Sequence, residues 1–89
     1  MDQWYVYILE CADQTLYIGA TKDIERRVIE HNTSPKGARY TRGRRPVMLS
    51  YMEIHPSRGK AFIREFQLKR LTKLQKLELI RGQVVKETP

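Results

Sequence analysis

The sequence predicts an α/β fold of the α+β type, with a small three-stranded antiparallel sheet flanked by about three helices. Aromatic and β-branched residues fill 4–9 and 16–20, and a polar turn at 12–15 separates them, which is typical of a β-hairpin. Farther along the chain, apolar residues recur at helical spacing. With 89 residues, the chain has room for one modest core and therefore one domain. The predicted order is strand, strand, helix, strand, helix, helix.

The first helix is predicted to begin after Asp23, a favourable N-cap, with Thr21 as the competing cap. Apolar residues at helical spacing extend it to about His31. Arg27 lies four residues before His31, so both side chains share one face of this helix, whereas Arg26 is predicted to face solvent. Residues 32–43 are polar, basic and interrupted by glycine and proline, and we expect a loop that is mobile or functional.

Residues 47–54 form the predicted third strand, and residues 55–57 end it and cap the second helix. Thr72 and Gln75 match a capping box, which predicts that a short last helix begins there. Gly82 is the predicted end of that helix. The domain is therefore expected to comprise residues 1–82, followed by a frayed tail at 83–89.

The register of the predicted hairpin decides whether Tyr7 and Tyr17 share a face of the sheet, because side chains alternate along a strand. A two-residue loop at 13–14 would pair Glu10 with Tyr17 and place the two phenols on opposite faces. A loop with an odd number of residues, or one bulge, would place them together. We predict the second arrangement.

The charge distribution indicates a polyanion as the partner. The net charge is +7, and residues 31–52 contain no acidic residue but five basic ones. Residues 58–81 add eight basic residues against Glu65 and Glu78. Such clustering favours nucleic acid. A membrane surface fits less well, because the basic helices lack a wide aromatic-rich apolar face.

Cysteine content and hydropathy exclude other classes of protein. The single cysteine, Cys11, excludes an intrachain disulfide and a zinc site built on several thiolates, and it is expected to be buried. No basic leader precedes an apolar run, and no run approaches the roughly 18 residues of a membrane span. We therefore expect a cytoplasmic protein with no membrane association.

Several short motifs then occur in a recognisable order. Tyr5-Val6-Tyr7 is followed about ten residues later by Tyr17-Ile18-Gly19, then by a helix with Arg27 and by a helix around Glu65. This pattern resembles the GIY-YIG nuclease superfamily, in particular its small stand-alone bacterial UPF0213-like members. The resemblance implies hydrolysis of a DNA phosphodiester assisted by one divalent metal, Mg²⁺ in the first place and Mn²⁺ as the alternative.

Carried over residue by residue, the resemblance implies that Tyr7 and Tyr17 are the motif tyrosines, Arg27 the helix arginine and Glu65 the metal ligand. His31 is expected at the edge of this site. A fixed guanidinium stabilises the charge that develops at phosphorus. Mg²⁺ prefers oxygen ligands and keeps several waters, so one glutamate plus substrate oxygens suffices.

A phenol is a poor base unless nearby positive charge lowers its pKa. Arg27, the metal and Lys22 are expected to supply that charge. Which tyrosine orients or deprotonates the water stays open. Gly19 is expected to allow a close approach of the backbone. Each of these residues also has an ordinary interpretation, and Glu65 in particular has a salt-bridge partner four residues on, Lys69.

Contacts to the nucleic acid are predicted mainly from the basic segment after the first helix. The predicted contact residues are Lys22, Lys36, Arg39, Tyr40, Arg42, Arg44 and Arg45. Because 89 residues leave no room for a DNA-recognition domain, specificity is expected to be low or structure-based. A partner protein or a homodimer is the alternative source of specificity.

The chain departs from the family pattern at two positions. Its first motif reads Tyr-Val-Tyr instead of Gly-Ile-Tyr, which a strand tolerates. Ala20 stands where the excision-repair branch commonly has a lysine that helps activate the tyrosine. The first hypothesis is therefore a DNA endonuclease, with a role in repair or recombination, and the second is a non-catalytic nucleic-acid-binding module with the same fold. A third is an adaptor for repair proteins.

Overall fold

The computed structural model describes residues 3–86, and the side chains up to Gly82. It contains three strands and four helices: β1 Trp4–Glu10, β2 Leu16–Thr21, α1 Ile24–Thr33, α2 Arg39–Arg42, β3 Met48–His55, α3 Arg58–Lys69 and α4 Lys73–Lys86. The sheet has the order β2-β1-β3, and both pairings are antiparallel. The predicted fold class is therefore confirmed. Within residues 3–86, every helix is too short or too polar to cross a bilayer.

The hairpin register places the two motif tyrosines on one face of the sheet. Tyr7 pairs with Gly19 and Leu9 pairs with Tyr17, so these four residues share a face. The connection between the paired strands comprises residues 11–15, an odd number. The predicted register is confirmed.

Two apolar clusters cover the two faces of the sheet. On one face, Val6 and Ile8 of β1 pack with Ala61 and Leu68 of α3. On the other face, Tyr7 and Leu9 pack with residues from three other segments, namely Cys11, Val47, Ile24 and Val28. Cys11 is buried, as expected. The alternation along β1 therefore directs one row of side chains toward α3 and the other toward α1.

The predicted helix starts are confirmed by their capping hydrogen bonds. The Asp23 carboxylate accepts the backbone N–H of Arg26 at 3.1 Å. Ser57 caps α3 in the same way. Thr72 accepts the N–H of Gln75 at 3.1 Å, and the Gln75 side chain accepts the N–H of Thr72 at 2.9 Å, which completes the capping box.

Several element boundaries were predicted wrongly, and one short helix was not predicted. Helix α1 extends to Thr33, and the predicted loop at 32–43 contains the short helix α2. The third strand begins and ends one residue later than predicted. Helix α4 continues through Gly82 to Lys86, so Gly82 does not end it. Residues 87–89 of the predicted tail lie outside the described residues.

Candidate active site

Tyr7 and His31 form a buried pair at the centre of the α1-covered face. Their exposed fractions are 1% and 0%. The Tyr7 hydroxyl lies 2.9 Å from His31 Nε2. Burial raises the pKa of Tyr7 to about 12, although a hydrogen bond from Arg27 opposes the rise. Arg27 lowers the pKa of Tyr7, as expected of nearby positive charge, but burial outweighs this effect, and Tyr7 is a neutral phenol at neutral pH.

Gly19 creates the space that the Tyr7 ring occupies. A Cβ at position 19 would lie 2.6 Å from Tyr7 Cζ and closer still to the hydroxyl. Real carbon atoms do not approach each other that closely without displacement. The φ of Gly19 is not positive, so its backbone conformation does not require glycine. Glycine is required because a side chain here would collide with the Tyr7 phenol.

His31 is oriented by the segment that follows α1. Its Nδ1 lies 2.8 Å from Thr41 Oγ1. A Cβ at Gly37 would lie 2.9 Å from His31 Cα, so this segment packs directly on the helix. Burial lowers the pKa of His31 to about 4, and the positive charge of Arg27 adds to the effect. His31 is therefore neutral at physiological pH.

Arg27 is held beside the Tyr7 hydroxyl by two further hydrogen bonds. Its Nη1 donates to Glu30 Oε1 at 2.9 Å and to the Lys36 carbonyl oxygen at 2.9 Å. Its side chain is 26% exposed, whereas that of Arg26 is 70% exposed, as predicted for a solvent-facing neighbour. Arg27 also lines an open cleft of about 380 Å³, together with residues that include Lys22 and Ala20. A ligand in this cleft would meet a guanidinium whose position is already fixed.

The Tyr17 ring also contacts His31. Its ring centroid is 5.2 Å from that of His31 and 5.9 Å from that of Tyr40, with which it stacks. A second hollow, of about 200 Å³, is lined by Tyr17, Tyr40 and two lysines, Lys69 and Lys76. The two tyrosines of the predicted motif therefore both pack against the same imidazole.

Glu65 comes from α3, the helix on the other face of the sheet, and its negative charge contributes to the raised pKa of Tyr7. Its carboxylate also pairs with Lys69 at 3.2 Å and is 20% exposed. Within residues 3–86, no group of three acidic, histidine or cysteine side chains is placed to hold a metal. A metal here would have one carboxylate, with water and substrate oxygens completing its shell. That donor set fits Mg²⁺, which keeps several waters when bound to protein.

Known proteins resemble this chain over most of its length. The family model described as the GIY-YIG catalytic domain matches residues 3–78. The chain belongs to the GIY-YIG family. The UPF0213 protein of Desulfotalea psychrophila is 54% identical over 79 residues, which cover 89% of this chain and 72% of that protein. The UPF0213 protein of Staphylococcus saprophyticus is 46% identical over 80 residues, which cover 90% of this chain and 96% of that protein.

Two solution NMR structures are similar to this GIY-YIG domain. The UPF0213 protein of Bacillus halodurans is 43% identical, with a TM-score of 0.57 over 89% of this chain and 83% of that one. A protein of E. faecalis is 36% identical, with a TM-score of 0.64 over 96% of this chain and 90% of that one. The chain is thus a UPF0213-type GIY-YIG domain.

The predicted nucleic-acid contacts occupy different positions in this GIY-YIG domain. Arg39 and Arg42 are exposed on α2, and Lys36 is exposed just before it. The Arg44 guanidinium lies 3.9 Å from the Tyr40 ring centroid and pairs with Asp13 at 2.9 Å. Arg45 points inward, where its Nη2 donates to the Ser34 carbonyl oxygen at 2.6 Å and its Nε to that of His31. Arg45 thus satisfies carbonyl groups at the end of α1.

Sequence reasoning missed three residues of the GIY-YIG site. Glu30 positions Arg27, while Gly37 and Thr41 pack against His31. The spacing of Glu30 could have revealed its role, because it lies four residues after Arg26 and three after Arg27, where side chains on a helix form ion pairs. Thr41 had none, because no local pattern shows which part of a basic loop meets α1.

Proposed function

We propose that this GIY-YIG domain is a metal-dependent DNA endonuclease of low or structure-based specificity that acts in DNA repair or recombination. The observation that carries the proposal is the buried Tyr7–His31 pair, with Arg27 fixed beside it in the wall of an open cleft. Family membership supports the same chemistry.

In this proposal, Arg27 stabilises the negative charge of the phosphoryl group. Attack on a phosphodiester increases negative charge on its non-bridging oxygens, and a guanidinium held in advance stabilises that charge without reorganising. The hydrogen bonds from Arg27 to Glu30 and to the Lys36 carbonyl oxygen hold it in place. Lys22 lines the same cleft and adds positive charge.

In this proposal, Tyr7 and His31 accept the proton of the attacking water in two linked transfers. Because the pKa of Tyr7 is about 12, the phenol must pass its own proton on as it takes one from water. His31 Nε2 lies 2.9 Å from that hydroxyl, and the low pKa of the ring keeps it in the neutral form that accepts a proton. Tyr17 packs against the same imidazole. In this proposal, Tyr17 orients the substrate beside Tyr7 and His31.

Glu65 would hold the divalent metal. GIY-YIG nucleases are generally metal-dependent. A bound Mg²⁺, or Mn²⁺ as the alternative, supplies positive charge at the leaving oxygen. In the protein alone, the Glu65 carboxylate pairs with Lys69 at 3.2 Å, so a metal would compete with this lysine for the carboxylate.

The DNA would lie across the cleft and the outer surface of α2. Arg39 and Arg42 are exposed and available for phosphate contacts, with Lys36 beside them. Tyr40 and Arg44 form a flat surface next to Tyr17, suited to stacking on a base. Such contacts read shape and charge, so sequence specificity would come from a partner protein or a homodimer.

One observation favours the alternative, a non-catalytic nucleic-acid-binding module. Ala20 lines the cleft beside Arg27, at the position where a lysine would place additional positive charge near the site. Both functions predict DNA binding that weakens with salt. Only the nuclease predicts metal-dependent strand cleavage.

Nicking of supercoiled plasmid, and of branched and flapped oligonucleotides, with Mg²⁺ or Mn²⁺ separates the two functions. The purified protein is compared with Arg27→Ala and Glu65→Ala. Arg81→Ala and Glu78→Ala are matched controls, because both residues are exposed on α4 and neither lines the cleft at Arg27 or the hollow at Tyr17. We expect nicking that requires metal, falls at least about 10²-fold in the two site variants and persists in the controls.

Tight, salt-sensitive binding without any nicking would establish the binding module instead. Nicking that survives both site substitutions would come from a contaminating nuclease and would contradict the proposed site.

A further inference from the structure

Thr41 is fully buried, and its hydroxyl group is not part of the site predicted from the sequence. Its exposed fraction is 0%, as is that of His31, and its Oγ1 lies 2.8 Å from His31 Nδ1. We propose that Thr41 is a positioning residue that holds His31 in the Nδ1–H tautomer, so that Nε2 is free to accept the Tyr7 proton. The catalytic consequence rests on the proposed nuclease function, whereas the tautomer is a property of the folded chain.

The hydrogen bonds of Thr41 assign the proton. A threonine hydroxyl carries one proton. Thr41 Oγ1 donates it to the carbonyl oxygen of Ala38 at 3.0 Å, and a carbonyl oxygen only accepts. The remaining short contact of Thr41 Oγ1, to His31 Nδ1, therefore requires an N–H on the ring. His31 thus donates from Nδ1 to Thr41.

The other ring nitrogen follows from the charge of the imidazole. A neutral imidazole carries one N–H, so Nε2 presents a lone pair to the Tyr7 hydroxyl at 2.9 Å. Tyr7 is a neutral phenol, because burial raises its pKa to about 12, and it therefore donates its one proton to that lone pair. The donors are therefore aligned in one direction, from Tyr7 through His31 and Thr41 to the Ala38 carbonyl oxygen.

A competing contact makes the role of Thr41 testable. The backbone N–H of Ala38 lies 3.4 Å from the same Nδ1 and favours an unprotonated nitrogen there. A contact of that length is weak, and the 2.8 Å contact to Thr41 outweighs it. Without the Thr41 hydroxyl, the Ala38 N–H would be left facing Nδ1. The ring proton should then move to Nε2, which would donate to Tyr7 and could no longer accept from it.

Long-range ¹H–¹⁵N correlation spectra of the imidazole read the tautomer directly and need no DNA or metal. They are recorded on the full chain and on Thr41→Val, Thr41→Ser and Thr33→Val. Valine matches threonine in shape, and serine keeps the hydroxyl. Thr33 is the control, because its hydroxyl donates to the Ile29 carbonyl oxygen at 2.8 Å on an exposed part of α1.

We expect Nδ1–H in the wild type, in Thr41→Ser and in Thr33→Val, and Nε2–H in Thr41→Val. Nicking should fall about 10²-fold in Thr41→Val, the scale of a lost proton-transfer step, and should be retained in the other two variants. Thermal unfolding of each variant checks that it is folded.

An Nε2–H ring in the wild type would overturn the inference by itself, whether or not any variant folds. An Nδ1–H ring that persists in folded Thr41→Val would overturn the role of Thr41. Absence of nicking in the wild type would instead contradict the proposed nuclease and leave the tautomer result standing, so the two failures are distinguishable.

Discussion

Gly19 shows how a single residue determines the position of a neighbouring phenol. Strand pairing places it opposite Tyr7, and the missing side chain leaves the space into which the Tyr7 ring extends. The Tyr7 hydroxyl, on β1, thereby comes within hydrogen-bonding distance of His31 on α1. The identity of this glycine was available from the motif, but its physical role depends on the register of the hairpin.

Gly19→Ala should displace the Tyr7 ring, because the new methyl group would overlap Cζ and the hydroxyl. We expect a loss of about 1–3 kcal/mol in the free energy of unfolding, typical of overpacking, and loss of metal-dependent nicking. Urea unfolding and the plasmid assay measure the two effects.

Gly82→Ala is the matched control, since a Cβ there meets nothing within 4 Å and the position lies inside α4. It should raise the free energy of unfolding by about 0.5–1 kcal/mol and leave nicking unchanged. Equal effects of the two substitutions would contradict the role given to Gly19.

At the scale of elements, Glu53 links β3 to α3. Arg64 of α3 donates to both of its carboxylate oxygens, at 2.9 Å to each, and Tyr51 and His55 of the same strand also hydrogen-bond to it. Burial alone would raise the pKa of Glu53, but these hydrogen bonds, that of Arg64 foremost, outweigh burial and lower it to about 2. The strand and the helix are thus joined by an ionised carboxylate.

This link should make stability depend on pH in a defined window. The pKa of a glutamate in the unfolded chain is about 4.3, so the folded state gains stability from Glu53 above that value and loses it as the pH falls toward about 2. The full contribution is about 2–3 kcal/mol, since Glu53 is only 17% exposed. Glu53→Gln should therefore destabilise the protein at pH 7.

Urea unfolding of the wild type and Glu53→Gln at pH 7, 4 and 2.5 tests this link, with the exposed Glu25→Gln as control. The gap between wild type and Glu53→Gln should narrow as the pH falls, whereas Glu25→Gln should follow the wild type. A gap independent of pH would show that the carboxylate is not responsible.

The elements differ in how readily the sequence reveals them. Helices with caps were predicted at their starts, because Asp23, Ser57 and the Thr72–Gln75 box act within one turn of the chain. Helix α2 was missed, since four residues are too few for an apolar period and its position depends on packing against α1. Gly82 was predicted to end α4, but a glycine is only a weak helix breaker, and the helix continues through it.

For the whole molecule, the net charge of +7 predicts salt-sensitive binding to nucleic acid. If about four phosphates are neutralised, affinity for a labelled duplex should fall about 10²-fold between about 50 and 200 mM salt. Replacing both Arg39 and Arg42 by alanine should reduce the slope of log affinity against log salt by about 2. Fluorescence anisotropy across a salt series measures both quantities.

Arg81→Ala serves as the control for that series, because Arg81 is exposed on α4 and outside the proposed surface. It should leave the slope near that of the wild type. A slope that falls equally in both variants would indicate diffuse attraction and would contradict a DNA surface on α2.

The sequence by itself determined the fold class and the places of Arg27 and His31 on one helix, and it predicted the shared face of the two tyrosines, which the register of the hairpin then confirmed. These features depend on period, spacing and capping, which act over a few neighbouring residues. Only the tertiary structure decided that burial keeps Tyr7 neutral, that Arg45 turns inward and that Thr41 reaches His31. Desolvation and contacts between distant segments follow from packing, and no local pattern in the chain encodes them.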